Sequence, residues 1–271
     1  MLPDEVRIYE IKRVDCEGAI VLDGFPSVGL VSSIVANYLI DTLEMEQIGI
    51  VECPSFPTVS LVRDGKPQHP VRIYSGTPPQ GRNGRVADRI VAFISEFQPP
   101  PNVIHPLATA ILNWVQEQRC GLLVSPEGLV VEPAPGGIKE HRRTSKVPEV
   151  RVYGIASTRR AQELYIEPNV TPFMEGVITG IAGVLLNEGR RRGFDVLTFL
   201  AEANPEYPDA RAAAKIIDTI NHILLRSSLD PEPLIHEAER IEQQLLTIQR
   251  SAQEHPRPER AATHQSAPMY R

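Results

Sequence analysis

Apolar residues along the chain fall into two kinds of run. Short continuous runs bounded by glycine, proline or charge, namely GAIVLDGF (18–25), IGIVEC (48–53), RIVAFISEF (89–97), GLLVSPEGLVVEP (121–133), VRVYGIAS (150–157) and FDVLTFLAEA (194–203), have the length and β-branched content of buried strands. Between them the apolar spacing changes to that of one helix face. SVGLVSSIVANYLIDTL (27–43) carries Val28, Val31, Val35, Tyr38 and Leu39 in this way, and HPLATAILNWVQEQRC (105–120) carries Leu107, Ile111, Trp114 and Val115. EGVITGIAGVLLNEGRRRG (175–193) adds a helix whose Gly176, Gly180 and Gly183 permit close approach to a neighbouring backbone, with Gly193 as its stop. Strand, crossover helix and strand in succession predict an α/β fold, a mostly parallel sheet flanked by helices. One stretch interrupts it: TVSLVRDGKPQHPVRIY (58–74) reads as a hairpin about Asp64 and Gly65 on a sheet edge.

The C-terminal third is helical and then featureless. Residues 208–225 place Ala213, Ile216, Ile217, Ile220, Ile223 and Leu224 on one face. A second helix opens with Asp230 as cap and Pro231 in its first turn, and its Leu234, Ala238, Ile241, Leu245 and Ile248 form a short heptad seam. From Ser251 no apolar residue larger than alanine occurs until Met269, so no core can form there. The expected organisation is an α/β domain over 1–204, a helical hairpin packed on it over 205–250, and a flexible tail over 251–271. The Gly-, Pro- and charge-rich segments 75–88 and 133–149 read as exposed loops, and His141, Arg142 and Arg143 in the second as a solvated basic cluster.

Composition narrows the function classes. A net charge of −6 argues against a general nucleic-acid or anionic-membrane binder, which needs a basic excess. The first residues show no signal peptide, and no run of about 20 apolar residues could span a bilayer, so the expected location is the cytoplasm. Cys16, Cys53 and Cys120 are odd in number and far apart, as expected of buried reduced thiols rather than a disulfide framework or a zinc knuckle.

Catalytic chemistry is harder to find. DGFPSVG (Asp23–Gly29) is a glycine-bearing turn between a strand and a helix, where phosphates often sit. Leu30 and Val31 stand where an ATP-binding loop needs Lys and Ser or Thr, and the glycine spacing is not that of a dinucleotide site. Glu127 in SPEG and Glu202 in LAEANP are acids at strand ends, without a nucleophile and base in a recognisable frame. The seven histidines show no ligand spacing. No catalytic residue, metal or cofactor is expected on this ground, and a tight turn that packs a helix on the sheet accounts for residues 23–29.

Three stretches taken together nevertheless carry a resemblance. LDGFPSVGLVSSIVANYLIDTLEMEQIGIVECPSFP, VRDGKPQHPVRIY and GVITGIAGVLLNEGRRRGFDVLTFLAEANPEYPDARAAAKIIDTIN, in order between about Gly18 and Ile248, resemble the proteasome assembly chaperone two family, especially its archaeal members. The resemblance implies a nucleoside-phosphorylase-like α/β fold used as a binding scaffold without established catalysis. The family commonly has glycine where Ser27 and Ser32 stand here; their hydroxyls can instead cap the helix start.

The resemblance also gives the C-terminus a meaning. Proteasome activators and several assembly chaperones end in a hydrophobic residue, a tyrosine and any last residue, as do Met269, Tyr270 and Arg271. A random terminus would fit this pattern roughly one time in a hundred at average residue usage. The implied partners are the α subunits of the proteasome core particle. There a terminal carboxylate can meet a lysine, tyrosine can pack and donate a hydrogen bond, and methionine can fill an apolar groove. A flexible tail of this length reaches about 23 Å. One such anchor binds weakly, so several presented together are expected, in a ring-like homo-oligomer or with a related family member. The heptad helix and the glycine-bearing helix are its candidate contacts. Assembly chaperone and ATP-independent activator both fit. The alternative is a nucleoside-phosphorylase-related enzyme or small-molecule-binding protein, with the turn at 23–29 and Glu127 lining a pocket.

Overall fold

Strand β2 (Ile20–Gly24) is buried at every residue and forms the axis of the sheet. The computed structural model describes residues 5–63, 65–78, 87–130, 150–166, 169–225 and 229–236. Before β2 comes β1 (Arg7–Glu10); after it a 3-10 turn (Val28–Leu30) leads into α1 (Val31–Thr42) and β3 (Glu46–Glu52). The chain continues through β4 (Leu61–Arg63), β5 (Lys66–Gln68), β6 (Val71–Gly76), β7 (Ile90–Ser95), α2 (Pro101–Glu117) and β8 (Leu122–Leu129). β9 (Val152–Ala156), α3 (Arg159–Leu164), β10 (Val170–Pro172), α4 (Gly180–Arg192), β11 (Val196–Glu202) and α5 (Ala210–Ile220) complete the described elements, and α5 runs on into a π-helical turn, Asn221–Leu225.

The main sheet has the order β1-β3-β6-β7-β2-β8-β11-β9-β10. Its centre, β7-β2-β8-β11, is parallel, as the sequence predicts. The flanks correct that reading, because β1, β3 and β6 join one another and β7 antiparallel, and β9 runs antiparallel to β11. The sheet is therefore mixed. Helices cover both faces, which is why the inner strands are continuously apolar rather than alternating. Ile20, Leu22, Val124 and Phe199 point to one core with α1 and α5, and Val21, Leu123 and Val196 to the other with α2 and α4.

Several elements differ from the sequence reading for identifiable reasons. β1 is missed because only Ile8 of its four residues is even partly buried, so no apolar alternation marks it. α3 is too short and polar to show a helical period, and is set by Thr158, whose Oγ1 accepts the Ala161 N–H at 3.1 Å. The expected hairpin exists, but as a separate two-stranded sheet of β4 and β5, while β6 lies inside the main sheet. α4 starts at Gly180 rather than Glu175 and ends where Gly193 takes φ 67°. Its Gly183 packs against the backbone of Ile178 within the same chain. Asp230 does accept the Glu232 N–H, and Tyr38 holds the Asp230 carbonyl at 2.7 Å, so this turn is docked on α1. Asp64, the 133–149 loop with its basic cluster, the heptad beyond residue 236 and the whole tail lie outside the described residues.

The β4–β5 hairpin is tied to the main sheet by charge. Arg72 on β6 is completely buried; it donates to Glu96 at 2.6 Å and to the His69 carbonyl at 2.9 Å, and Arg63 of β4 reaches the same carboxylate oxygen at 3.0 Å. Removing Glu96 strands a buried guanidinium, a change that costs about 3 kcal/mol or more. Glu96→Ala should therefore lower unfolding stability by about that much in denaturant titration, and Arg72→Met in the same chain should restore most of it. A Glu96→Ala protein as stable as the parent would show that Arg72 does not need this partner.

Candidate functional site

β2 and β8 pair only through Ile20–Leu22 and Leu122–Val124; beyond Val124, β8 continues alongside β11 alone. The parting explains how Pro126 sits in an inner strand, since no ladder donor is required of it on the β2 side. It also admits the turn 25–30 between the strand ends. Gly29 and Leu30 both take left-handed backbone conformations there, φ 61° and 52°. A Cβ on Gly128 would lie 2.1 Å from the Val28 carbonyl oxygen, so only glycine lets β8 pass the turn.

Hydroxyls lock the turn. Ser27 Oγ accepts from the Ser32 N–H at 3.1 Å and from the Ser32 hydroxyl at 2.7 Å, and the Ser32 hydroxyl also lies against the Pro126 carbonyl. Ser27 thus caps an N–H of the first turn of α1 across the 3-10 turn, as the sequence suggests, whereas Ser32 caps no N–H and its hydroxyl ties α1 to Ser27 and β8 instead.

Two acids meet at this point. Asp23, 3% exposed, accepts the Phe25 N–H at 3.2 Å and the Ser125 hydroxyl at 3.1 Å. Burial pushes its pKa up from an ordinary 3.8 to about 6, against the lowering effect of those two hydrogen bonds. Glu127, two residues beyond Ser125, is held well above the usual carboxylate range, first by burial and then by the Asp23 carboxyl, with the Ser32 hydroxyl opposing. Thr198, opposite Ser125 in register, is fully buried, and its hydroxyl has no hydrogen-bond partner among the described residues. Asp23, Ser125 and Thr198 make a polar row beneath the α2 and α4 face of the sheet.

Above that row lies a cleft of about 280 Å³, between the starts of α2 and α4 and the 25–30 turn, with Glu127 on its wall. The structure thus brings together the two features of the alternative sequence reading, the turn and Glu127. Glu202 lies elsewhere, bonded by the Tyr153 hydroxyl at 3.1 Å. The parts that sequence reasoning missed are Asp23 as a buried acid and its contact with Ser125; the signal was an acid inside an otherwise apolar strand. Among the described residues no cluster of acids, histidines and cysteines could hold a metal. Cys16, Cys53 and Cys120 are buried and free, and burial pushes the Cys120 thiol up to about 12. No described helix is long and apolar enough to cross a membrane. Met269, Tyr270 and Arg271 lie outside the described residues.

The acid at Asp23 sets a pH dependence. Between pH 4 and 6 the folded chain keeps a proton that the unfolded chain releases, so stability falls as pH rises through this window and stays lower above it. A shift of this size corresponds to about 3 kcal/mol. Asp23→Asn should flatten that part of the stability–pH curve measured by urea unfolding at pH 4 to 8. An unchanged slope in the variant would place the titration elsewhere.

The architecture recurs in known proteins. PbaA of Pyrococcus furiosus, described as an archaeal homolog of proteasome-assembly chaperone, is 29% identical with a TM-score of 0.76, over 92% of this chain and 94% of that one. PbaB of the same organism, described as an archaeal proteasome activator, shares the fold at 22% identity with a TM-score of 0.74, over 90% of this chain and 99% of that one. An uncharacterised protein of Methanocaldococcus jannaschii, MJ0106, is 29% identical over 245 residues, 90% of this chain and 91% of its own length. Residues 21–249 match the PAC2 family, a span that contains most of both cores, the acid pair and the cleft, and the chain therefore belongs to the PAC2 family.

Proposed function

We propose that this protein is a non-enzymatic partner of the proteasome, an assembly chaperone or ATP-independent activator that docks its C-terminal Met269-Tyr270-Arg271 into pockets between core-particle α subunits. The observation that carries the reading is the likeness to PbaA, which extends over nine-tenths of both chains.

In this proposal the folded body is a platform and the tail is the anchor. Residues 251–268 contain Pro256, Pro258 and Pro268 among polar residues, a composition suited to a tether rather than to a packed element. The carboxylate of Arg271 pairs with a lysine, the Tyr270 ring is buried with its hydroxyl bonded, and Met269 fills an apolar groove. Ordering a tail costs several kcal/mol, so the affinity comes from several tails on one homo-oligomer. The reading places the protein in the cytoplasm with the core particle.

Three variants test the anchor by pull-down of purified core particle. Tyr270→Ala, deletion of residues 269–271 and one residue added after Arg271 should each abolish association, through loss of a buried aromatic, of the whole motif, or of the carboxylate's position. Arg271→Lys should leave it intact. Circular dichroism and oligomer size should stay those of the parent throughout. Undiminished binding by the deletion variant would remove the tail from the mechanism. Limited proteolysis should likewise release the segment after about residue 250 first and leave a fragment of unchanged oligomeric size; a fragment that falls apart would move assembly to the tail.

A further inference from the structure

Docking through a C-terminal tail makes no use of the cleft over β2 and β8, which is built like a ligand site. β2 and its parallel neighbour β7 send the chain to opposite faces of the sheet, into α1 and α2. The crevice outside the carboxyl ends of strands at such a switch point is the usual ligand position in α/β sheets. The cleft, about 280 Å³, lies at the small end of ligand pockets, the size of a single ring system rather than of a peptide. Phe25, Ile104 and Leu200 supply apolar walls, and Glu127, Ser27 and Thr179 supply polar groups.

The charge arrangement selects the ligand chemistry. No described Lys, Arg or His lines the cleft, so among the described residues an anion would meet the Glu127 carboxyl and no counter-charge. Asp23 of β2 is the titratable group that acts on Glu127, and α1 contributes the Ser32 hydroxyl. The starts of α2 and α4 and the strand β11 present only uncharged lining residues, among them Ile104, Ile181 and Leu200. Burial beside Asp23 favours the protonated acid at Glu127. A protonated carboxyl places one O–H donor next to one carbonyl acceptor. Its complement is an edge carrying an N–H beside a C=O or a ring nitrogen; a cation would first require the proton to leave.

We propose that the cleft binds a small planar molecule through a lactam or carboxamide edge paired with the Glu127 carboxyl, its faces held by Phe25, Ile104 and Leu200. Two adjacent hydrogen bonds made by a neutral acid give the site its recognition, and the apolar walls give it affinity. Nothing in this binding consumes or forms a covalent bond. It adds a small-molecule input to the folded body and is independent of the tail.

Isothermal titration of the full chain tests it, with hypoxanthine as the lactam probe, nicotinamide as the carboxamide probe and guanidinium chloride as the cation probe, over a pH series in which hypoxanthine keeps its N–H. Hypoxanthine or nicotinamide should bind, and more weakly as rising pH ionises Glu127. Glu127→Gln keeps a donor beside an acceptor, so it should retain binding and lose the pH dependence. Glu127→Leu should weaken binding about tenfold, the loss of two neutral hydrogen bonds, with an unchanged circular dichroism spectrum. The proposal is overturned if neither neutral probe binds at millimolar concentration. It is equally overturned if Glu127→Leu binds as the parent does, or if guanidinium binds and tightens with rising pH while the neutral probes do not.

Discussion

Everything distinctive in this molecule follows from how briefly its two central strands stay together. β2 and β8 share a ladder of three residues, Ile20–Leu22 against Leu122–Val124, and then separate. A ladder that continued would pair Gly24 and Pro126 across the sheet, which Pro126 could not support with a donor of its own. Separation instead leaves space for the 25–30 turn, which Ser27 joins to Ser32, whose hydroxyl lies against the Pro126 carbonyl. The same parting carries Asp23 into the interior and opens the cleft beside Glu127.

The acid pair is costly to the fold and is retained within a short network. Asp23 receives a backbone N–H and a serine hydroxyl and still remains well above the usual range for an aspartate, so burial outweighs both hydrogen bonds. Glu127 compounds this, because its own burial and then the Asp23 carboxyl disfavour its charge. A purely structural strand end would be served as well by serine or threonine, as at Ser125 and Thr198 in the same row. Two acids where hydroxyls suffice give that end of the sheet a chemical character that a platform for tail docking does not require.

Charge works differently at the sheet's other features. Glu96 is shared by Arg72 and Arg63, which fixes an otherwise isolated hairpin to β6. Glu188 receives Arg191 and Arg192, hydrogen bonds that hold its carboxyl down to about 2, and Arg192 passes on to Asn113 and Gln116 of α2 at 2.7 and 3.0 Å. In both places an acid is matched by cations and acts as a joint between elements. At Asp23 and Glu127, by contrast, two acids meet with no described Lys, Arg or His among the residues that shift them, and a cleft adjoins Glu127.

The family was legible in the linear order of motifs around Gly24 and Gly180, and the α/β class in the alternation of continuous apolar runs with helical spacing. Both are local properties: a strand covered on two faces must be apolar at every position, and a helix covered on one must repeat every three to four residues. Strand direction at the flanks, the placing of β6 inside the sheet and the existence of β1 were not legible, because partly polar edge and flank strands carry no period that distinguishes parallel from antiparallel neighbours. Ser27 could be read as a capping residue from its position before a helix. The meeting of Asp23 with Glu127 could not: they are more than a hundred residues apart, and it is the register between β2, β8 and β11, ended at Val124 by the parting of the first two, that brings them side by side.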